Sequence, residues 1–203
     1  MYETTASVYA PDERAHTEIL YVHAVARKLI ELLPEGEGKS QLTELLNTRE
    51  ALSLTAQGDM LAAEMLARRL SEAVSILQVY PPLIAKCAAN KEPSRATVLA
   101  YQATQQVKRA EDQAALPLSL SKLAKAIAPI DTTLALETLE EAVLAANKSE
   151  LDTGDGNIGF DIDVFKELAP KNELQARQAA ASLKDSLRRI VALAAVYQWK
   201  AES

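Results

Sequence analysis

The stretch GDMLAAEMLARRLSEAVSILQVYPPLIAKCAAN, residues 58–90, contains most of the signals that predict helices in this chain. Gly58 can close the preceding helix in a left-handed conformation, which costs glycine little. Asp59 can then cap a helix rich in Ala and Leu that extends to Tyr80. Because prolines occupy positions 81 and 82, we expect this helix to stop at Tyr80 and the next one to begin at the proline pair.

The same signals recur along the rest of the chain. Pro11 opens a first helix that ends at PEGEG, and a second helix leads to Gly58. In the first helix the side chains predicted to face the core are Ala15, Ile19, Val22, Ala26, Leu29 and Leu33. In the second they are Leu42, Leu45, Leu52 and Ala56. About ten helices with short loops predict an all-α fold of stacked antiparallel helical hairpins, similar to an α-solenoid.

The domain organisation follows from where this periodicity begins and where it is interrupted. Residues 1–10 carry no period and are predicted to be a flexible tail. Residues 11–203 then form a single α-helical repeat-like domain with an acidic Gly/Asp loop at 149–162. Cys87 lies in an apolar helical context, so we expect its thiol to pack as a small hydrophobe, and a single cysteine excludes a disulfide within one chain.

Charge and composition restrict the classes of partner. The net charge of −6 divides equally between the two halves of the chain, so neither half is suited to bind nucleic acid. No apolar run approaches a membrane span, and the N-terminus lacks the pattern of a signal peptide. We therefore expect no membrane association and a cytoplasmic location by default, or export if the chain is a fragment of a longer precursor.

An internal period is indicated by two alignments of the chain with itself. Placing Pro81 on Pro117 superposes Lys86 on Lys122, and LAKAI at 123–127 matches LAAVY at 193–197. Both steps fit a unit of about 35 residues, the length of one helical hairpin in tetratricopeptide-like arrays.

Three segments carry a resemblance to a known class of protein. They are GDMLAAEMLARRL, IDTTLALETLEEAVLAAN and ASLKDSLRRIVALAAVY. In these segments the chain resembles large bacterial α-helical repeat proteins of tetratricopeptide-like or HEAT-like α-solenoid type. The resemblance covers roughly residues 55–203, implies stacked hairpins, and carries over no catalytic residue.

The acidic stretch LDTGDGNIGFDID, residues 151–163, partly matches a calcium-binding loop. Its candidate ligands are Asp152, Asp155, Asn157, Asp161 and Asp163. Laid on the calcium pattern, however, Leu151 and Ile162 occupy positions that need an oxygen ligand. We favour a loop pinned by Ile158, Phe160 and Ile162, with Asp161 or Asp163 capping the next helix, and keep calcium binding as the alternative.

Other catalytic or metal-binding constellations are weaker. His16 and His23 lie seven residues apart on one face of the first helix, roughly 10 Å along its axis, which is too far to share one zinc ion. No nucleophile elbow, Cys–His pairing or phosphate-binding glycine loop is present in the sequence. The sequence therefore favours a protein without catalytic activity and without a cofactor.

Arginines and large aromatic side chains are the remaining candidates for partner binding. They are Arg68, Arg69, Tyr101, Arg188, Arg189 and Trp199. The alternative for the arginines is that they form a solvated helix face with intrahelical acidic partners. The alternative for the aromatic rings, including those of Tyr80 and Tyr197, is that they fill gaps between hairpins.

These features lead to one expected function and one alternative. We expect a non-enzymatic helical-repeat scaffold that binds a protein or peptide. The alternative is a metal-dependent ligand binder or helical enzyme that uses the acidic 152–163 loop. The sequence does not fix the oligomeric state.

Overall fold

Ten α-helices form the regular structure of the residues described by the computed structural model, which are 11–110, 114–148 and 159–202. The helices are α1 (Pro11–Glu31), α2 (Glu37–Gln57), α3 (Met60–Ala67), α4 (Ala73–Ala89), α5 (Pro93–Arg109), α6 (Leu116–Ile127), α7 (Thr132–Ala146), α8 (Asp163–Leu168), α9 (Glu173–Ala181) and α10 (Ser186–Glu202). No strand occurs within these ranges. The prediction of an all-α fold with about ten helices is confirmed, while the predicted tail lies outside the described residues.

The helices pack in chain order. Within the described ranges, the backbone of each helix approaches only the backbones of helices that are one or two places away in the sequence. The even-numbered helices α2, α4, α6, α8 and α10 form one continuous row, and α5, α7 and α9 form a second row beside it. The core lies between the two rows, where small and branched aliphatic side chains are fully buried.

Several helix ends follow the predicted chemistry. Gly58 closes α2 with a φ of 89°, in the left-handed region that glycine adopts without strain. The Asp59 side chain accepts a hydrogen bond from the Ala62 N–H at 3.1 Å and so caps α3. Cys87 is fully buried in the core, and burial raises the pKa of its thiol. None of the described helices combines the length and apolar character needed to cross a bilayer.

The single helix predicted over residues 59–80 is wrong in two respects: it is interrupted in the middle, and its second part does not stop at Tyr80. The chain breaks after Ala67, and α4 then runs from Ala73 to Ala89 through both prolines. Prolines at 81 and 82 cannot donate to the carbonyls of Leu77 and Gln78. Leu77 is half-buried and Gln78 is exposed, so water can reach this side of the helix and replace the missing donors.

The predicted inner faces of the first two helices are confirmed only in part: Leu52 packs against the core and Ala26 is half-buried, while the side chains of Ala15 and Ile19 lie outside the described residues. Val22, Leu29 and Leu33 are exposed, as are Leu42 and Leu45 on α2. The face of α2 that is buried instead carries Glu44, Leu46, Asn47, Thr48, Ala51, Leu54 and Thr55. Polar contacts with neighbouring segments, rather than apolar periodicity, therefore set the orientation of this helix.

Candidate functional site

Helices α5 and α7 lie side by side and are joined by matched polar side chains. The Thr97 hydroxyl lies 3.4 Å from Oδ2 of Asp131, and the hydroxyls of Thr104 and Thr138 lie 3.5 Å apart. The core-facing side of α5 is rich in alanine, which lets neighbouring helices approach closely. This register fixes the outer faces of α5 and α7 relative to each other.

An open groove of about 400 Å³ follows the outer side of this helix pair. It is lined by Thr97, Val98 and Tyr101 from α5 and by Asp131, Thr133, Leu134 and Glu137 from the start of α7. The exposed fractions of Val98 and Tyr101 are 52% and 57%, while Leu134 is half-buried and packs against the core. The groove therefore has an apolar floor and a large amphipathic ring at its edge.

The acidic side chains of the groove differ in their roles. Asp131 is committed to structure, because its Oδ1 accepts a hydrogen bond from the Leu134 N–H at 3.0 Å and caps α7. Glu137, one and a half turns further along the helix, is exposed. It contributes negative charge to a groove whose lining includes no Lys or Arg. Such a surface can bind an apolar group that carries a neighbouring cation.

The predicted partner-binding residues are distributed over three helices rather than brought together. Tyr101 is the one that lies in the groove. Arg68 and Arg69 are exposed at the end of α3, and Arg68 pairs with Glu64 one turn earlier, as the intrahelical alternative predicts. Trp199 is half-buried and packs against the core, so this ring fills a gap.

The two arginines of α10 serve the fold. Arg188 is 4% exposed and donates a hydrogen bond to the carbonyl of Ala146 at 2.8 Å, at the end of α7. Burial lowers the pKa of this guanidinium, and the charge of Asp185 opposes that effect. Arg189 donates to the carbonyls of Leu183 and Lys184. The prediction of a solvated face is wrong for Arg188, because helix periodicity cannot show that a cation will satisfy buried carbonyls.

The described end of the acidic loop is anchored to α6. Phe160 is buried and stacks on Phe165 with ring centroids 5.8 Å apart, which confirms its predicted anchoring role. The Asp161 N–H donates to the buried Ser121 hydroxyl at 2.8 Å. Asp161 in turn accepts from the N–H of Asp163, the first residue of α8, at 3.1 Å. The N-cap of α8 is Ile162 and no side chain caps this helix, so the prediction that Asp161 or Asp163 is its cap is wrong.

Lys125 of α6 faces the two candidate calcium ligands at this end of the loop. Its Nζ lies 3.1 Å from Oδ2 of Asp163 and 3.7 Å from Oδ2 of Asp161. Partial burial lowers the pKa of this ammonium group, but the hydrogen bond to Asp163 and the charge of Asp161 outweigh it and raise the pKa overall. An ammonium group of the chain itself is thus paired with both of these carboxylates.

The other candidate metal ligands are not brought into a site by the described residues. Asp152, Asp155 and Asn157 lie outside the described ranges, and so does the side chain of His16. His23 is half-buried on α1. Over the described part of the chain, no group of three or more His, Cys, Asp or Glu side chains is placed to hold a metal ion.

Sequence reasoning did not find Val98, Leu134 and Glu137 as groove residues. Val98 and Tyr101 are three residues apart and share the outer face of a strongly amphipathic helix, which is a signal that the pattern of α5 contained. The part played by α7 depends on the register between two helices and has no local signal. The chain matches no protein-family model, no curated protein sequence and no solved structure.

Proposed function

We propose that this chain is a non-enzymatic helical-repeat module whose α5–α7 groove binds a segment of another protein. The observation that carries the proposal is the exposure of Tyr101 and Val98 beside the half-buried Leu134, in a groove with an acidic edge. Aromatic and aliphatic side chains next to a pocket are the usual anchors of protein recognition. The groove supplies apolar surface and charge, which are the requirements of binding.

The packing order of the helices supports this proposal, because it fits a stacked-hairpin array of the α-solenoid type. Backbone contacts between the described helices run only between helices one or two places apart, as expected for an array in which each unit touches its neighbours. The hydrogen bonds between α5 and α7 and one bond between the ends of α7 and α9 span 33 to 35 residues, whereas bonds between other segments span, for example, 27 or 42 residues. Thr104 and Thr138 are 34 residues apart, and Asn147 bonds to the Ser182 carbonyl across 35 residues. These intervals agree with the period of about 35 residues in the sequence.

The groove favours a ligand of defined chemistry. Its apolar floor fits one aliphatic or aromatic side chain, and Tyr101 can cover that side chain on one edge. Glu137 at the other edge favours Lys or Arg next to the anchor, and the net charge of −6 attracts basic segments at long range. The partner segment is therefore a short peptide with one large apolar residue flanked by basic residues.

Selection from a random linear peptide library tests the proposal with the purified chain as bait. Enriched peptides should share a large apolar residue with an adjacent Lys or Arg. Tyr101→Ala should weaken a selected peptide at least about tenfold, because anchors at a pocket commonly contribute more than 1 kcal/mol. Glu137→Lys should also lower the affinity of the selected peptide, and by a larger factor at low salt than at high salt.

A matched control is available on α7. Leu144 is 60% exposed, on the same helix but outside the groove lining. Leu144→Ala should leave peptide affinity unchanged. Selected peptides whose affinity does not depend on Tyr101, or a library that yields no binder, would reject the groove as the binding site.

A further inference from the structure

The first helix leaves a large apolar face uncovered. Among the described helices, α1 contacts α2 alone. Its exposed apolar side chains, with the two that directly follow it, are Tyr21 (72% exposed), Val22 (60%), Val25 (38%), Leu29 (60%), Leu32 (81%) and Leu33 (39%). Scattered exposed leucines are ordinary, but a continuous set along the second half of α1 and the two residues after it marks an interaction surface.

The contact between α1 and α2 is made by the opposite side of α1. Arg27 donates a hydrogen bond to Oδ1 of Asn47 at 3.2 Å and forms an ion pair with Glu50. His23 and Ile30, which lie near Arg27 on the helix surface, are half-buried. The chain therefore turns the mixed polar side of α1 inward and leaves its apolar side to solvent, although burial of the apolar side would be more favourable. A helix that covered that side would recover this energy.

The spacing of the apolar residues identifies the covering helix. Val22, Val25, Leu29 and Leu32 follow one another at intervals of three, four and three residues, which is the spacing of a coiled-coil seam. These intervals read the same in both directions about position 27. In an antiparallel pair of α1 helices centred there, Val22 meets Leu32 of the second copy and Val25 meets Leu29. The flanking pair, Tyr21 with Leu33, obeys the same symmetry. A second copy of the chain thus supplies an apolar side chain opposite each one on the first.

The exposed area is adequate for a stable dimer. With ordinary side-chain areas of roughly 150–230 Å², the exposed fractions of the six residues correspond to ~600 Å² of apolar surface per copy. A standard stable interface buries about 800 Å² on each partner, including its polar rim. The seam alone accounts for most of that requirement.

We propose that two copies of this chain associate through antiparallel pairing of α1 along this seam, independently of the α5–α7 groove. The interface is isologous, since the same face of α1 is used on both copies. Arg27 stays on the α2 side and takes no part in it. Each copy then presents its α5–α7 groove separately, so the dimer is bivalent for any partner that carries two binding segments.

Sedimentation equilibrium of the wild-type chain and of Leu29→Glu tests the proposal. We expect the wild type to have twice the chain mass of 22.0 kDa and the variant to have the chain mass itself. The dissociation constant should rise at least roughly 100-fold, because each variant dimer would bury two carboxylates without partners. Since Leu29 is exposed in the single chain, the variant should keep its helical circular dichroism spectrum. Leu61→Glu, at a leucine of α3 that is 67% exposed, is the matched control and should remain dimeric.

Cysteine cross-linking tests the antiparallel register. A mixture of Val25→Cys and Leu29→Cys chains should form a disulfide-linked dimer under mild oxidation, whereas each variant alone should not. The buried Cys87 should stay unreactive in all samples. A wild-type chain that remains monomeric at its highest soluble concentration would overturn the proposal. So would a dimer that is unaffected by Leu29→Glu, or cross-linking of Leu29→Cys with itself, which indicates a parallel pair.

Discussion

The carboxylate of Glu44, in the middle of α2, lies 2.9 Å from the backbone nitrogen of Glu72, immediately before α4. It also accepts the N–H of Ser71 at 3.0 Å, and Glu44 is only 7% exposed. The first amides of a helix lack partners within the helix and carry partial positive charge. A buried carboxylate from another helix therefore caps α4 and fixes α2 against it.

Replacement of this cap should lower stability measurably. We expect Glu44→Ala to reduce the free energy of unfolding by about 2 kcal/mol, because the N–H groups of Ser71 and Glu72 lose a charged acceptor that is itself buried. Urea denaturation followed by circular dichroism measures the change. Glu37→Ala is the control, since among the described residues the exposed Glu37 carboxylate bonds only to Gln41 one turn away, and its loss should cost less than about 0.5 kcal/mol. Equal costs for the two variants would show that the cap contributes nothing.

The Glu44 contact illustrates which part of the fold the sequence could predict. The end of α2 and the start of α3 were predictable, because Gly58 and Asp59 act on backbone groups within four residues of themselves. The orientation of α2 was not predictable from apolar periodicity. Glu44 is buried by a contact 28 residues away, and that contact leaves Leu45 at the surface. Interactions between distant segments outweigh the local pattern wherever a buried charge finds backbone donors.

The prolines within α4 should be destabilising, unlike the proline that begins α5. Pro82 lies in the helix interior, where it removes one hydrogen bond. Pro82→Ala should raise the free energy of unfolding by about 2 kcal/mol, since restored helix bonding exceeds the gain in unfolded-chain entropy. Pro93 is the first residue of α5, where no N–H donor is needed. Pro93→Ala should lower stability by up to about 1 kcal/mol. Chemical denaturation of both variants gives the two signs, and a loss of stability in Pro82→Ala would contradict this account.

The hydroxyl of Tyr80 should make stability depend on alkaline pH. Tyr80 is fully buried, and its hydroxyl has no hydrogen-bond partner among the described residues. Burial raises the pKa of Tyr80 from 10.0 to about 12, with Arg68 lowering it and Glu64 raising it by smaller amounts. The pKa of Tyr80 is higher in the folded chain than in the unfolded chain. Its contribution to the free energy of unfolding is therefore fully present below about pH 10 and is lost as the pH rises toward 12.

Comparison with Tyr80→Phe isolates this group. At neutral pH the variant should be as stable as the wild type or up to about 1 kcal/mol more stable, because it removes a buried hydroxyl without a protein partner. Between about pH 10 and 12 its advantage should grow, since phenylalanine does not titrate. Urea denaturation of both chains across this pH range measures the difference in their free energies of unfolding. The other tyrosines are common to both chains, so their effects cancel in this difference. A constant difference would indicate that the hydroxyl ionises in the folded state as it does in the unfolded chain.

The candidate site was less predictable than the fold. Tyr101 was identified as a possible anchor from its size and amphipathic character, but sequence alone could not separate it from Tyr80, which fills the core. Arg68 and Arg188 likewise have similar helical contexts, although the first is exposed and the second is buried. Within each of these two pairs, one residue is buried because a neighbouring helix covers it, and the other is left exposed. Only the register between helices determines that.

The attachment of the acidic loop should depend on its aromatic anchor more than on its charges. Phe160 is 4% exposed and stacks on the fully buried Phe165, so Phe160→Ala should cost about 3 kcal/mol through the lost transfer energy and the cavity left behind. Lys125→Met removes the ion pairs to Asp161 and Asp163 but keeps the aliphatic stem. Because these groups are partly exposed, this variant should cost less than about 1 kcal/mol. Thermal and urea unfolding of both variants give the comparison, and a larger cost for Lys125→Met would mean that charge pairing, rather than packing of Phe160, holds the start of α8 against α6.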